Sequence, residues 1–153
     1  MNRRLAREIA VSSLYQMEMS GVTGEEAVNM VMDEARQENE IGAEVGQLAN
    51  VDEFTRELVE GVSANREELD RQLAAYLTGW QVDRLSRVDR QILRLAAYEM
   101  NLRGVPPKVV VNEAIELAKH FGLEESGKFV NGVLGRMIRE KEQAIQTGEG
   151  KPE

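Results

Sequence analysis

Apolar residues recur along this chain every three or four positions, which is the spacing that places them on one face of an α-helix. β-branched residues do not alternate with polar ones, and only three prolines interrupt the pattern. In the first segment the apolar face consists of Ala6, Ile9, Ala10, Ser13, Leu14 and Met17. The pattern therefore predicts an all-α fold of about seven helices.

Start and stop signals place the first four helices. The first is predicted to run from about Arg3 to Ser20 and to stop at Gly21. Thr23 with Glu26, and Asn65 with Glu68, have the spacing of a capping box and begin the second and fourth helices. The third helix holds Phe54, Leu58 and Val62, and the fourth buries Leu69, Leu73 and Leu77. Residues 38–50 are polar and contain glycine, and they are predicted to form a mobile loop.

Thr78-Gly79, just before Trp80, is the predicted boundary between two helical halves, residues 1–78 and 79–143. Ser86 is expected to cap a long, mostly buried fifth helix that ends at Gly104. The sixth helix follows Pro106-Pro107, because proline is tolerated at a helix start. It is predicted to end at residues 121–122, the seventh helix to cover about 126–142, and residues 144–153 to form a disordered tail.

Composition narrows the class of protein. The 153 residues include no cysteine, so disulfides, thiolate catalysis and cysteine-based zinc sites are excluded. No apolar stretch approaches the roughly 20 residues needed to cross a bilayer, and the N-terminus has no signal-peptide core. We expect a protein of the cytoplasm with no cofactor.

The net charge of −8 argues against a general nucleic-acid coat protein, but the charge is unevenly spread. Between Thr23 and Glu60 the cations are Arg36 and Arg56 alone, among many acids. Arg3, Arg4 and Arg7 precede or flank the first acid, Glu8. Cations at a helix N-terminus oppose the helix dipole, so the arginines are either a solvated helix start or a site for an anionic ligand.

Catalysis is not predicted. The serines have a single histidine, His120, as a possible base, with no nucleophile elbow and no glycine-rich phosphate loop. Glu113, Glu116 and His120 share a helical face, but a carboxylate-bridged metal site needs a second matching set that the chain lacks. We therefore expect neither an enzyme nor a metal site. Glu99 falls inside the apolar arc of the fifth helix, where its carboxylate needs a hydrogen bond or a cation.

The break between the sixth and seventh helices is rich in groups suited to RNA. Phe121 and Phe129 offer rings for base stacking, Lys119 and Lys128 offer charge for phosphate, and Asn131 offers an amide for a base edge. Single-stranded RNA is recognised by this mixture of groups. Core packing is the alternative for both phenylalanines.

The exposed side of the predicted seventh helix carries an unusual stripe of Lys128, Gly132, Gly135 and Arg139. Glycine inside a helix costs about 1 kcal/mol relative to alanine. A surface to which a backbone or ligand comes close would account for that cost.

Four segments, in order, resemble the NusB family of bacterial transcription antitermination factors. They are Arg7-Glu8-Ile9-Ala10 with Leu14-Tyr15, Asp89 to Arg94 with Ala97-Tyr98-Glu99, Val111 to Lys119, and Lys128 to Leu134. The likeness covers roughly residues 3–138. It implies two perpendicular helical bundles in one compact domain.

The resemblance also implies a function. It implies binding to boxA, a single-stranded RNA element of ribosomal RNA operons, together with the ribosomal protein NusE, in an antitermination complex with RNA polymerase. The implied RNA-binding residues are Arg3, Arg4, Arg7, Lys119, Phe121, Lys128, Phe129 and Asn131. The implied NusE contact lies around Val11, Tyr15 and Asp89. A helical scaffold that binds proteins without contacting RNA is the alternative.

Overall fold

The computed structural model describes residues 1–38, 45–77, 81–122 and 124–147. Over these ranges the chain forms seven α-helices and one short 3-10 helix, Val82–Arg84, and no strand. The helices are α1 (Arg3–Ser20), α2 (Gly24–Glu38), α3 (Val45–Ala64), α4 (Arg66–Ala74), α5 (Arg87–Asn101), α6 (Pro107–Phe121) and α7 (Glu124–Thr147). The predicted all-α class is confirmed. Two compact units are present, Met1–Leu69 and Asp70–Glu153.

The ends of α1 and α2 are fixed by local hydrogen bonds. Asn2 caps α1, because its Oδ1 accepts from the Leu5 amide at 3.0 Å. Gly21 ends the helix at a φ of 69°, a left-handed conformation that glycine adopts without a Cβ clash, and its amide donates to Met17 O. Thr23 Oγ1 accepts from the Glu26 amide at 3.2 Å and donates to the Glu26 carboxylate at 3.0 Å. The predicted capping pair is confirmed.

The core of the first unit lies where α1 packs against α2 and α3. Its largest fully buried side chains are Ile9, Met32, Leu48 and Leu58, and full burial of such a side chain contributes about 1.5–3 kcal/mol. The prediction of a loop over residues 38–50 is wrong from Val45 onward, because α3 already begins there. Leu48 and Val51 are both fully buried, and they extend the apolar spacing of α3 toward its N-terminus. Residues 39–44 lie outside the described ranges.

Helix α5 forms the centre of the second unit and packs against α6 and α7. Most of its side chains are buried, as predicted, and Glu99 is 3% exposed among them. The helix ends at Asn101 rather than at the predicted Gly104. The chain reverses there because Gly104 adopts a φ of 67° and the Val105 amide donates to Glu99 O at 3.0 Å.

An ion pair that the sequence did not suggest joins α4 to α5. Asp70 receives two hydrogen bonds from Arg94, from Nε at 2.7 Å and from Nη2 at 2.8 Å. The Arg94 side chain is 10% exposed. Such a two-point contact fixes the direction of both side chains as well as their charge.

Two predicted features fall on residues outside the described ranges. The boundary at Thr78-Gly79, with Trp80, lies outside the described residues, as does the tail from residue 148. Helix α7 begins at Glu124 and reaches Thr147, past its predicted end near Glu142.

Candidate nucleic-acid interface

The first candidate cluster lies at the start of α1. Arg3 and Arg4 are exposed, whereas Arg7 is only 6% exposed, and both Arg4 and Arg7 interact with other groups of the chain. The periodicity of α1 turns Arg7 toward the protein while it leaves the two preceding arginines at the helix end. The solvent-facing charge of this cluster therefore resides on Arg3 and Arg4.

The second cluster lies where α6 ends and α7 begins. Lys119 occupies the last turn of α6, with its side chain 64% exposed and its Nζ 3.6 Å from Glu116 Oε1. A surface pair of this kind contributes little and exchanges readily with another anion. Phe121 is half-buried, and the His120 ring meets it edge-on at a centroid distance of 4.6 Å.

The first turns of α7 complete this cluster. Lys128 and Asn131 are exposed, and Lys128 makes no hydrogen bond or ion pair with any described residue. Phe129 is half-buried, so packing holds one part of its ring and solvent reaches another. The five predicted RNA-binding residues of this region thus occupy the two helix ends that meet at Gly122. We refer to Lys119, Phe121, Lys128, Phe129 and Asn131 as the helix corner.

Gly122 fixes the geometry of the helix corner. A Cβ at this position would lie 2.9 Å from Ser126 Oγ and 3.1 Å from Ala118 O. At Gly122 the backbone therefore passes too close to Ala118 and Ser126 for a side chain to be added without a shift. Sequence analysis placed a break here but did not identify this close approach.

The glycines of α7 have different surroundings. A Cβ on Gly127 or on Gly132 would meet no atom within 4 Å, and one on Gly135 would meet only Arg139 Nη1 at 3.5 Å. No described part of the chain therefore requires glycine at position 132. Alanine would fit at this position without a clash.

The predicted partner-binding residues differ in their exposure. Val11 is 1% exposed and belongs to the buried core, whereas Tyr15 is partly exposed. Met19, one turn after Tyr15, is 48% exposed and extends this face, and sequence analysis missed it. A large exposed apolar side chain next to a tyrosine is typical of a protein contact.

Asp89, the third predicted partner residue, lies in the first turn of α5. Its amide donates to Ser86 Oγ at 3.1 Å, which confirms the predicted cap. Its Oδ1 is buried without a hydrogen-bond partner among the described residues. A buried carboxylate oxygen of this kind is costly unless a donor reaches it.

Neither a metal-binding cluster nor a membrane-spanning helix is present among the described residues. No group of three or more histidine, aspartate or glutamate side chains in the described chain is arranged to hold a metal ion. None of the described helices combines the length and the apolar character needed to span a membrane.

Comparison with known proteins identifies close relatives. Residues 4–139 match the model of the NusB family. The transcription antitermination protein NusB of Myxococcus xanthus (strain DK1622) is 43% identical over 136 residues, covering 88% of this chain and 93% of its own. The solved structure of T. maritima NusB aligns with a TM-score of 0.75 at 34% identity, covering 92% of each chain. A crystal structure of antitermination factors NusB and NusE in complex with dsRNA aligns with a TM-score of 0.74 at 29% identity, covering 90% of this chain and 96% of that one.

Proposed function

The chain belongs to the NusB family, and we propose that it is a transcription antitermination factor that binds boxA RNA together with NusE. Its role is that of a binding protein and not of an enzyme, as in its family. The proposed place of action is the cytoplasm, within an antitermination complex on RNA polymerase.

The helix corner is the observation that carries this proposal. It combines an exposed lysine that has no partner among the described residues, a second lysine in a weak pair, an exposed asparagine and two half-buried rings. A partly exposed ring suits stacking on a base, because it is held by packing and is still reached by solvent. Core packing alone would account for the rings, and the support for RNA binding comes from their position beside the exposed Lys128 and Asn131.

Arg3 and Arg4 supply the second part of the proposed RNA site, at the start of α1. With Lys119 and Lys128 they provide four exposed cations, and each phosphate contact on a single strand contributes about −0.7 to the slope of log affinity against log salt. We therefore expect a slope of about −3 for boxA. Arg7 belongs to the predicted set, but its burial means that Arg7→Ala also perturbs the fold, so the pair Arg3→Ala and Arg4→Ala gives the cleaner test.

Fluorescence anisotropy with labelled boxA RNA and a scrambled RNA, with and without NusE, tests the proposal. Lys128→Ala should weaken the binding of both RNAs and reduce the slope of log affinity against log salt by about 0.7. Asn131→Ala should weaken boxA more than the scrambled RNA, because a base-edge contact carries the sequence information. Lys108→Ala is the matched control, since Lys108 is equally exposed but lies at the other end of α6, about 17 Å from Lys119 along the helix axis.

The NusE contact is proposed on the face of α1 that carries Tyr15, with Met19 added from the structure and with Asp89 on α5. An acidic residue suits a basic ribosomal protein, and tyrosine is a common interface anchor. Absence of selective boxA binding both with and without NusE, while NusE still associates, would leave the scaffold function in place of the RNA-binding one.

A further inference from the structure

A groove of about 450 Å³ opens between α1, α2 and α3, entirely within the first unit. Its volume lies in the range of pockets that hold a specific ligand. Met17 lines it from α1, about 200° around that helix from Tyr15. The groove is therefore separate from the face proposed for NusE, and the inference drawn from it does not depend on the proposed function.

The floor of the groove is apolar. Met17, Val28 and Val59 line it, and the Met17 thioether is held by Ser63, whose hydroxyl donates to Sδ at 3.8 Å. Gly24 leaves the mouth open, because a Cβ there would lie 3.1 Å from Val59 Cγ1 and 3.8 Å from Met17 Cε. Such a floor accepts a hydrocarbon chain, and methionine adapts to its shape.

The rim of the groove is negatively charged. Glu25 and Glu60 are exposed, and neither makes a hydrogen bond or ion pair with any residue of the described ranges. The arginine of the rim, Arg56, is already occupied by Asp52 at 2.6 Å and by Asn29 Oδ1 at 2.6 Å. The two free carboxylates therefore have no cation of the groove to neutralise them.

The wider surroundings reinforce this charge. Helices α2 and α3 together carry nine acidic residues and two arginines. Arg36 is paired with Asp33 at 2.8 Å, as Arg56 is with Asp52. Phosphate groups are repelled by such a surface, so a nucleic acid is an unsuitable occupant.

We propose that this groove binds a basic segment of a partner protein through a lysine or arginine side chain. The alkyl stem of such a side chain lies on Met17, Val28 and Val59, and its charged head reaches Glu25 and Glu60. Lysine and arginine have this combination of an apolar stem and a cationic end. The groove is then a second protein-binding surface of the chain.

Methionine methyl NMR of the full chain tests the proposal, because Met17 reports on the floor while the exposed Met19 and Met30 report on other surfaces. The probe is a short synthetic peptide of alternating lysine and leucine, and the same peptide with glutamate in place of lysine is its control. We expect the lysine peptide to shift the Met17 methyl signal in a saturable way and the glutamate peptide to leave it unchanged. An unshifted Met17 signal in the presence of the lysine peptide would overturn the proposal.

Charge reversal separates a specific site from general attraction. Glu60→Lys should raise the Kd of the lysine peptide about tenfold, from the loss of one attraction and the gain of one repulsion. Glu34→Lys is the control, because it changes the net charge equally but lies about 180° around α2 from Glu25. Its Kd for the lysine peptide should stay within about twofold of that of the unaltered protein. Equal weakening by both variants would refute a defined site. Displacement of the peptide by an equal concentration of spermidine would also refute the proposal, because the groove would then bind a small polyamine. Thermal unfolding of each variant checks that it is folded.

Discussion

Replacing Gly132 with alanine separates the stability of α7 from its proposed use in binding. Glycine inside a helix costs about 1 kcal/mol relative to alanine. A Cβ at position 132 would meet no atom within 4 Å, so no clash offsets the gain. We expect Gly132→Ala to raise the free energy of unfolding by up to about 1 kcal/mol, and the Tm by about 2–4 °C in a domain of this size. Thermal unfolding followed by circular dichroism measures both.

The same methyl group should weaken RNA binding. Gly132 follows Lys128 by one helical turn and lies on the same face of α7, next to the exposed Asn131. In the proposed complex RNA lies against the backbone of Gly132. The methyl group of alanine would then hold the RNA away from the side chains of Lys128 and Asn131. We expect the Kd for boxA, measured by fluorescence anisotropy, to rise about fivefold, which corresponds to about 1 kcal/mol.

Gly46→Ala is the control for this variant. Gly46 lies in the first turn of α3, and a Cβ there would likewise meet no atom within 4 Å. This control should leave boxA affinity unchanged. A Gly132→Ala protein that is more stable and binds boxA as well as the unaltered protein would show that the glycine face of α7 is not used by RNA. A less stable variant would show that the surroundings of Gly132 are not open.

Three further predictions concern charge and titration. Glu125 is exposed at the start of α7, and Glu125→Asn should strengthen boxA binding several-fold at low salt and less at high salt, whereas a gain independent of salt would exclude a charge effect. Tyr15→Asp should abolish NusE association in a pull-down without a change in Tm; wild-type association would place Tyr15 outside the interface. Burial, the charge of Glu140 and a hydrogen bond to Glu140 raise the pKa of Tyr76 above its ordinary value. The neutral phenol is thus favoured in the folded state, and its stabilising contribution is present below about pH 10 and lost as the pH rises through the raised pKa. An absorbance titration should show a tyrosine that ionises above its ordinary pKa, and Glu140→Gln should lower that pKa only in part, because burial, the largest cause, remains; absence of a raised tyrosine pKa in the unaltered protein would refute the prediction.

The starts of α2 and α5 and the burial of α5 could be predicted from the sequence because they depend on local information. Thr23 and Ser86 cap through residues three positions ahead of them, so the signal and its effect lie within one turn of chain. The burial of α5 follows from an apolar arc that is wide within the helix itself. The early start of α3 was missed because Gly46 and the polar residues Gln47 and Asn50 suggested a loop, although Leu48 and Val51 continue the apolar spacing of the helix.

The exposure of the site residues could not be predicted in the same way. Periodicity gives the angles between side chains on α1, but it does not give the width of the arc that other helices cover. Arg7 and Val11 lie near the margin of that arc, and both are buried, whereas Tyr15 stays partly exposed. The pair between Asp70 and Arg94 joins residues 24 positions apart and has no local signature. Non-local packing therefore decides which residues of a correctly identified stripe meet solvent.

The net charge of −8 is compatible with RNA binding because the fold keeps opposite charges apart. Arg4 lies near the start of α1, and Met17, in the acid-rimmed groove, lies about 20 Å further along the same helix. Screening at physiological salt acts over about 8 Å, so the carboxylates of the groove scarcely reduce the attraction of phosphate to the arginines. The acidic surface of α2 and α3 repels nucleic acid in general, whereas the cations of the proposed site, Arg3, Arg4, Lys119 and Lys128, attract it. Few phosphate contacts yield modest affinity, so in the proposed complex base contacts at the helix corner and a protein partner supply the selectivity.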